Sequence, residues 1–240
     1  MRVQSPRSCK SGGWYHNLDS KAHKVSIPRQ VVSKSSPTLN ADAFIASCKA
    51  HTKPEMLVLL AHTLGVTSQS LNSLGCVWSV KHGAWAFPML DSDGEAIGVR
   101  LRFQSAEKRA VTGSRGGLFY SDDLPENDCC LVVEGPTDCA AGLTLGFWTI
   151  GRPSCNSGND LIPPMMRRLG LHRAIIVADR DEIKNGVRAG IQGADRLSKE
   201  IGCKHVICVP PTKDLLEFLK RGGTKLWIDN DVNKMTWMKL

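Results

Sequence analysis

The sequence lacks most of the short patterns that fix a chemistry on sight. Its nine cysteines are an odd number and none forms a Cys-x-x-Cys pair; the nearest neighbours are Cys129-Cys130 and Cys203 with Cys208. Such spacing excludes a regular disulfide framework, and the cysteines read as small apolar residues of a reducing, cytoplasmic compartment. Cys9, His16 and His23 lack zinc-ligand spacing and a fourth partner, so no structural zinc is expected. No apolar run approaches the ~20 residues of a membrane-spanning helix, and no membrane partner is expected. There is no Gly-x-x-x-x-Gly-Lys-Ser/Thr loop for a P-loop nucleotide site and no Gly-x-Ser-x-Gly elbow for an esterase.

Acidic residues are scarce at the start of the chain. Residues 1–40 hold Arg2, Arg7, Lys10, Lys21, Lys24, Arg29 and Lys34 against the single acid Asp19, so six of the eight net positive charges sit there. The arm is equally readable as a solvated, disordered tail or as a contact for a polyanion, because Lys and Arg neutralise phosphates and release counterions. Gly12, Gly13, Pro6, Pro28 and Pro37 interrupt the amphipathic helix that a transit peptide would need.

What is present begins with helices. Asn40 is placed to cap a helix through about His51, Pro54 to open a second that Gly65 stops, and Thr67 or Ser68 to cap a third ending at Gly75. From Trp78 the period changes. Residues 85–90 and 96–103 flank Asp91-Ser92-Asp93-Gly94, a hairpin signal, and Val99, Leu101 and Phe103 alternate with Arg100 and Arg102, giving one apolar and one cationic face. Lys108, Arg109 and Arg115 follow in a Gly-rich stretch.

Beyond Asp128 strands alternate with helices. Strands are expected at Cys130–Val133, Trp148–Ile150, Ala174–Ala178 and His205–Val209, and helices at Asp138–Leu145, Asp160–Gly170 (interrupted early by Pro163-Pro164), Gly186–Ile201 and Asp214–Arg221. Alternation of this kind predicts an α/β fold, a mostly parallel sheet covered by helices on both sides.

Ligands of such sheets gather at the carboxyl ends of the strands, so the residues just after each apolar run bear the chemistry. Here they are acidic: Glu134 after the first strand, with Asp138 one helical turn on; Asp179 and Asp181 after the third; Asp214 after the fourth. Singly, each is an ordinary turn former or helix cap. Together they are harder to dismiss, since carboxylates so gathered repel unless a proton or a cation intervenes. Mg²⁺ suits them: it prefers hard oxygen ligands, keeps several waters and bridges to substrate phosphates through a few carboxylates.

At these residues the sequence resembles the TOPRIM family, shared by DnaG-type primases, type IA and II topoisomerases and certain nucleases. Val132-Val133-Glu134-Gly135-Pro136-Thr137-Asp138 looks like its Glu-Gly-x-x-Asp motif, Val177-Ala178-Asp179-Arg180-Asp181 like its Asp-x-Asp motif, and Lys213-Asp214-Leu215-Leu216-Glu217-Phe218-Leu219 is similar to a Lys-Asp ending of primase-like members. Upstream, Phe87–Gly94, Gly98–Arg102 and Lys108–Tyr120 look like the basic subdomain that precedes TOPRIM in DnaG-type and phage primases. The resemblance covers about residues 66–225. It divides the chain into a basic arm (1–39), a small helical module (40–76), a basic β-rich subdomain (77–127), a TOPRIM catalytic domain (128–225) and a C-terminal tail (226–240).

The resemblance implies Mg²⁺- or Mn²⁺-dependent RNA primer synthesis on single-stranded DNA. Glu134 would be the general acid/base, with Asp138, Asp179 and Asp181 completing the catalytic set. Glu134, Asp179, Asp181 and Asp214 would hold the metal. Arg100, Arg102, Lys108, Arg109 and Arg115 would bind phosphates of template and nucleotides. A replicative helicase is a further candidate partner, because many relatives carry or recruit one. Two other readings stay open: a TOPRIM nuclease, in which the same site activates water, and a non-catalytic accessory protein that binds single-stranded DNA. A topoisomerase is a weaker reading, since Tyr15 and Tyr120 are the only tyrosines and neither lies in a recognisable cleavage domain.

Overall fold

Asn40 accepts a hydrogen bond from the backbone N–H of Ala43 at 2.9 Å and so starts α1 (Ala41–Lys49), satisfying one of the unpaired donors of a helix start. Pro54 opens α2 (Pro54–Leu64), which ends where Gly65 turns left-handed, and Thr67 caps α3 (Ser68–Ser73) through the N–H of Ser70. The computed structural model describes residues 38–183, 186 and 188–238. The basic arm therefore lies outside the described residues except for Thr38 and Leu39, as do Tyr15 and the set of Cys9, His16 and His23.

The hairpin expected around residues 91–94 forms. Strands β1 (Val77–Ser79), β2 (Ala84–Leu90), β3 (Ala96–Arg102) and β4 (Lys108–Ala110) make an antiparallel sheet in sequence order. Val99 and Leu101 are buried against Ala41 and Cys48 of α1, whereas Arg100 and Arg102 lie on the other face.

The second sheet is parallel throughout. Strands β5 (Cys129–Glu134), β6 (Thr149–Arg152), β7 (Arg173–Val177) and β8 (Lys204–Cys208) lie in the order β6-β5-β7-β8. Between them run α4 (Pro136–Thr144), α5 (Ile162–Arg168) and α6 (Ala189–Glu200), followed by α7 (Leu215–Lys220) and α8 (Lys225–Val232). Alternation along β5 sends Leu131 and Val133 to a core shared with α4, α7, α8 and α2, and Cys130 and Val132 to a core beneath α5 and α6. Both faces are thus covered, as near-continuous apolar strands require.

The two sheets are stitched together. Leu118 exchanges backbone hydrogen bonds with Leu90 of β2 (2.8 and 2.7 Å), and Phe119 does so with Gly151 of β6 (2.9 and 2.7 Å). Trp85, Phe87, Met89 and Phe119 pack into the same core as Leu131 and Val133. The cationic strands are consequently fixed beside the carboxyl edge of the parallel sheet.

Four local expectations need correction. Pro163 and Pro164 do not interrupt a helix that starts at Asp160; a 3₁₀ turn spans Asn159–Leu161 and the prolines sit in the first turn of α5, where a missing N–H leaves nothing unpaired. The helix expected from Gly186 begins at Ala189, because Arg188 is still extended. Strand β6 runs past Ile150 to Arg152. Most of α8 falls in what the sequence sets apart as a tail: Ile228 and Val232 are buried and Trp227 packs on Phe218 with ring centroids 5.1 Å apart. Among the described residues no helix is long and apolar enough to cross a membrane.

Candidate active site at the carboxyl edge of the parallel sheet

Glu134 is the last residue of β5, and Gly135, with φ +84°, makes the turn into α4 that a residue with a Cβ adopts only under strain. The N–H of Gly135 donates to the Arg152 carbonyl at 2.6 Å, locking the ends of β5 and β6 together. On the next strand Asp179 follows β7, and α6 closes against it: a Cβ on Gly190 would lie 2.4 Å from the Asp179 carbonyl oxygen. The Gly190 N–H donates to Asp181 Oδ2 at 3.1 Å. Asp214 caps α7 by accepting the N–H of Glu217 at 2.8 Å, and the Arg180 N–H donates to the Lys213 carbonyl at 2.6 Å. Sequence neighbours of the strand ends are in this way pinned by backbone rather than left in free loops.

These residues line one cleft of about 210 Å³: Glu134, Asp138, Asp179, Asp181 and Asp214, together with Arg100, Lys108 and Lys213. All five acids singled out from the sequence are therefore brought together. Asp138 is 4% exposed and its Oδ1 accepts the Leu216 N–H at 2.9 Å, so it also ties α4 to the start of α7.

The acids strain one another electrostatically. Burial, then repulsion from Asp138, Glu134, Asp214 and Asp181, pushes Asp179 up to about 8. Burial and Asp214 push Asp138 up to about 7, against the pull of the Leu216 N–H and Lys108. Burial also raises Glu134, with Arg152 opposing and Asp181 adding to the rise. Asp179 is the acid that feels all four of the others.

Cationic side chains from β3 and β4 share this cleft. Arg100 donates to the Pro153 carbonyl at 3.4 Å, and its Nε is buried without a partner. Register pairs Arg102 with Lys108 on one face of the β3–β4 ladder. Burial lowers the Arg102 pKa, while Asp138 and Asp214 favour its charge. Of the five basic residues expected at the site, Arg100 and Lys108 line the cleft, whereas Arg102, Arg109 and Arg115 do not. Arg109 pairs with Leu101, is exposed, and lies over the Phe103 ring at 4.6 Å; Arg115 is exposed and its backbone N–H donates to Ile97.

Hard carboxylate oxygens around a small cleft, two of them held near neutral pKa by burial and mutual repulsion, suit a hard divalent cation that would relieve that repulsion. Among the described residues no three His, Cys, Asp or Glu side chains stand close enough to form a ready-made metal cage. The sequence did not single out Lys213, which lines the cleft, or Arg152, which stands beside it as the register partner of Glu134. Lys213 was visible within the Lys-Asp motif. Arg152 was not, because it lies past the expected end of its strand.

No protein-family model and no curated protein matches the chain. Solved structures do. The DnaG catalytic core aligns with a TM-score of 0.63 over 82% of this chain and 79% of that one at 14% identity. The DnaG primase catalytic domain bound to ssDNA gives 0.61 over 80% and 79% at 13% identity, and the E. coli primase catalytic core 0.60 over 82% and 78% at 14%. The chain therefore has the fold of a DnaG-type primase catalytic core, here a four-stranded parallel sheet joined to a four-stranded antiparallel one.

Proposed function

We propose that the chain is a divalent-metal-dependent primase that joins ribonucleotides on a single-stranded DNA template. The observation that carries the reading is the gathering of five carboxylates with Arg100 and Lys108 around one cleft of this fold. Glu134, Asp179 and Asp181 would hold Mg²⁺ or Mn²⁺, with Asp214 beside them; when bound, the ion supplies charge stabilisation at the α-phosphate and acidifies a 3′-hydroxyl.

The chain's own residues do the remainder. A Glu134 carboxylate oxygen accepts the 3′-hydroxyl proton, a role helped by a pKa raised toward the working pH. Arg100 and Lys108 hold phosphate oxygens in the cleft they share with the acids, and Arg102 keeps its charge through Asp138 and Asp214. Asp138 positions rather than reacts, since its Oδ1 is engaged by α7.

Three assays run together separate this reading from the others: incorporation of labelled ribonucleotides on single-stranded DNA, nicking of plasmid, and DNA binding, each with Mg²⁺ or Mn²⁺. Incorporation supports the proposal. Nicking without incorporation replaces it with a nuclease, and binding alone with an accessory protein.

A further inference from the structure

Arg152 is the last residue of β6 and the register partner of Glu134. Paired residues of a parallel ladder share a face, so both side chains lie on the α6 side of the sheet, where Ile150 and Val132 already point. Its side chain is 2% exposed. Nη1 donates to the Cys155 carbonyl at 3.1 Å and to Asn159 Oδ1 at 3.0 Å, and Asn159 is held in turn by Glu200 Oε2 at 2.7 Å. Nε has no partner, and among the described residues no carboxylate lies within ion-pairing distance of the guanidinium.

A buried cation with only neutral partners is expensive to keep unless something nearby makes use of its field. The acids nearest in effect are Glu134 and Asp179, both in the cleft, together with Glu200 behind it. The side chain is braced from α6 and does not line the cleft, so it acts there through its charge rather than by touching a ligand.

We propose that Arg152 is a positioning residue that serves as a built-in counter-cation of the acidic cleft: it lowers the affinity of the Glu134 flank for a divalent ion. This rests on the metal-dependent reading above. Five carboxylates alone would hold a divalent cation tightly and repel the phosphates of a nucleotide; a fixed positive charge behind them moderates both effects without occupying the cleft.

The test is Mn²⁺ binding, by titration calorimetry and by electron paramagnetic resonance of free Mn²⁺, on the full chain and on Arg152→Met, Arg152→Gln and Arg152→Lys, with thermal melts confirming that each is folded. Arg152→Met should bind Mn²⁺ about tenfold more tightly than wild type or better. Arg152→Gln, which can still donate to Cys155 or Asn159, should do the same if the methionine variant does not fold. Arg152→Lys, keeping the charge but not the braced fork, should stay close to wild type. Unchanged or weaker Mn²⁺ binding in a folded neutral variant overturns the role of Arg152 while leaving the metal-dependent reading intact. Failure of the wild-type chain to bind Mn²⁺ overturns both.

Discussion

Replacing Asp179 by Asn should stabilise the metal-free protein at high pH and leave it unchanged at low pH. Asp179 carries a folded pKa of about 8 against an ordinary value of 3.8, through burial and then repulsion from its four acidic neighbours. Between those values the folded chain keeps a proton that the unfolded chain has released, so stability falls as pH rises through the window and is lowest above it. The full shift corresponds to roughly 5–6 kcal/mol. An amide removes the repulsion but still has to be buried as a polar group, which leaves an expected gain of about 1–3 kcal/mol at pH 8.5. For a chain this size that is a rise in Tm of about 3–10 °C. The assay is thermal unfolding in EDTA at pH 4 and pH 8.5. Mg²⁺ added at pH 8.5 should raise the Tm of the wild type and raise that of Asp179→Asn less, because the variant lacks both a ligand and the repulsion that the ion relieves. Equal gains at both pH values, or a less stable variant at pH 8.5, would mean that Asp179 is not held protonated by its acidic neighbours.

Gly190→Ala forces a Cβ to within 2.4 Å of the Asp179 carbonyl; it should lower stability by about 1–3 kcal/mol in urea unfolding and reduce activity more than its melt suggests, because α6 and Asp179 must separate. Arg100→Ala and Lys108→Ala should weaken binding to single-stranded DNA uniformly across sequences and flatten its salt dependence, by about 0.7 in log–log slope for each phosphate no longer neutralised, while Arg109→Ala, outside the cleft, should change nucleotide KM little. Ile228→Ala, fully buried in α8, should destabilise the fold by about 2–5 kcal/mol in denaturant titrations; a neutral effect would mean that this helix is a dispensable tail after all.

The acidic wall was legible because each acid directly follows an apolar run, and a parallel sheet places such residues on one edge whatever the loops do. The alternation of Arg100 and Arg102 with Val99 and Leu101 likewise fixed which face of β3 is cationic. What could not be read locally depended on register. Lys108 and Arg109 are adjacent in sequence, yet pairing with Arg102 and Leu101 sends them to opposite faces, and only Lys108 joins the cleft. Arg152 was hidden for a related reason: Gly151-Arg152-Pro153 reads as a loop, and it becomes a strand end only because Phe119 and Gly135 bond to it and its neighbour. Helix α8 follows Gly222-Gly223 and mixes Leu226 and Trp227 with Asp229 and Asp231, so its apolar stripe is weak; the Thr224 side chain accepting the Trp227 N–H at 3.3 Å is the one start signal it offers. The arm holding most of the net charge stands outside the described residues except for Thr38 and Leu39.

The most direct test of the central claim is incorporation of labelled ribonucleotides on single-stranded DNA, with Mg²⁺ or Mn²⁺, by the wild-type chain, Glu134→Ala and Asp179→Ala, all shown to be folded and to bind DNA. A primase of this design should give short RNA products from the wild type, none in EDTA, and a drop of at least about 100-fold in each variant. Product formation that persists in both variants, or a DNA-binding wild type that makes no product with either metal, would contradict it.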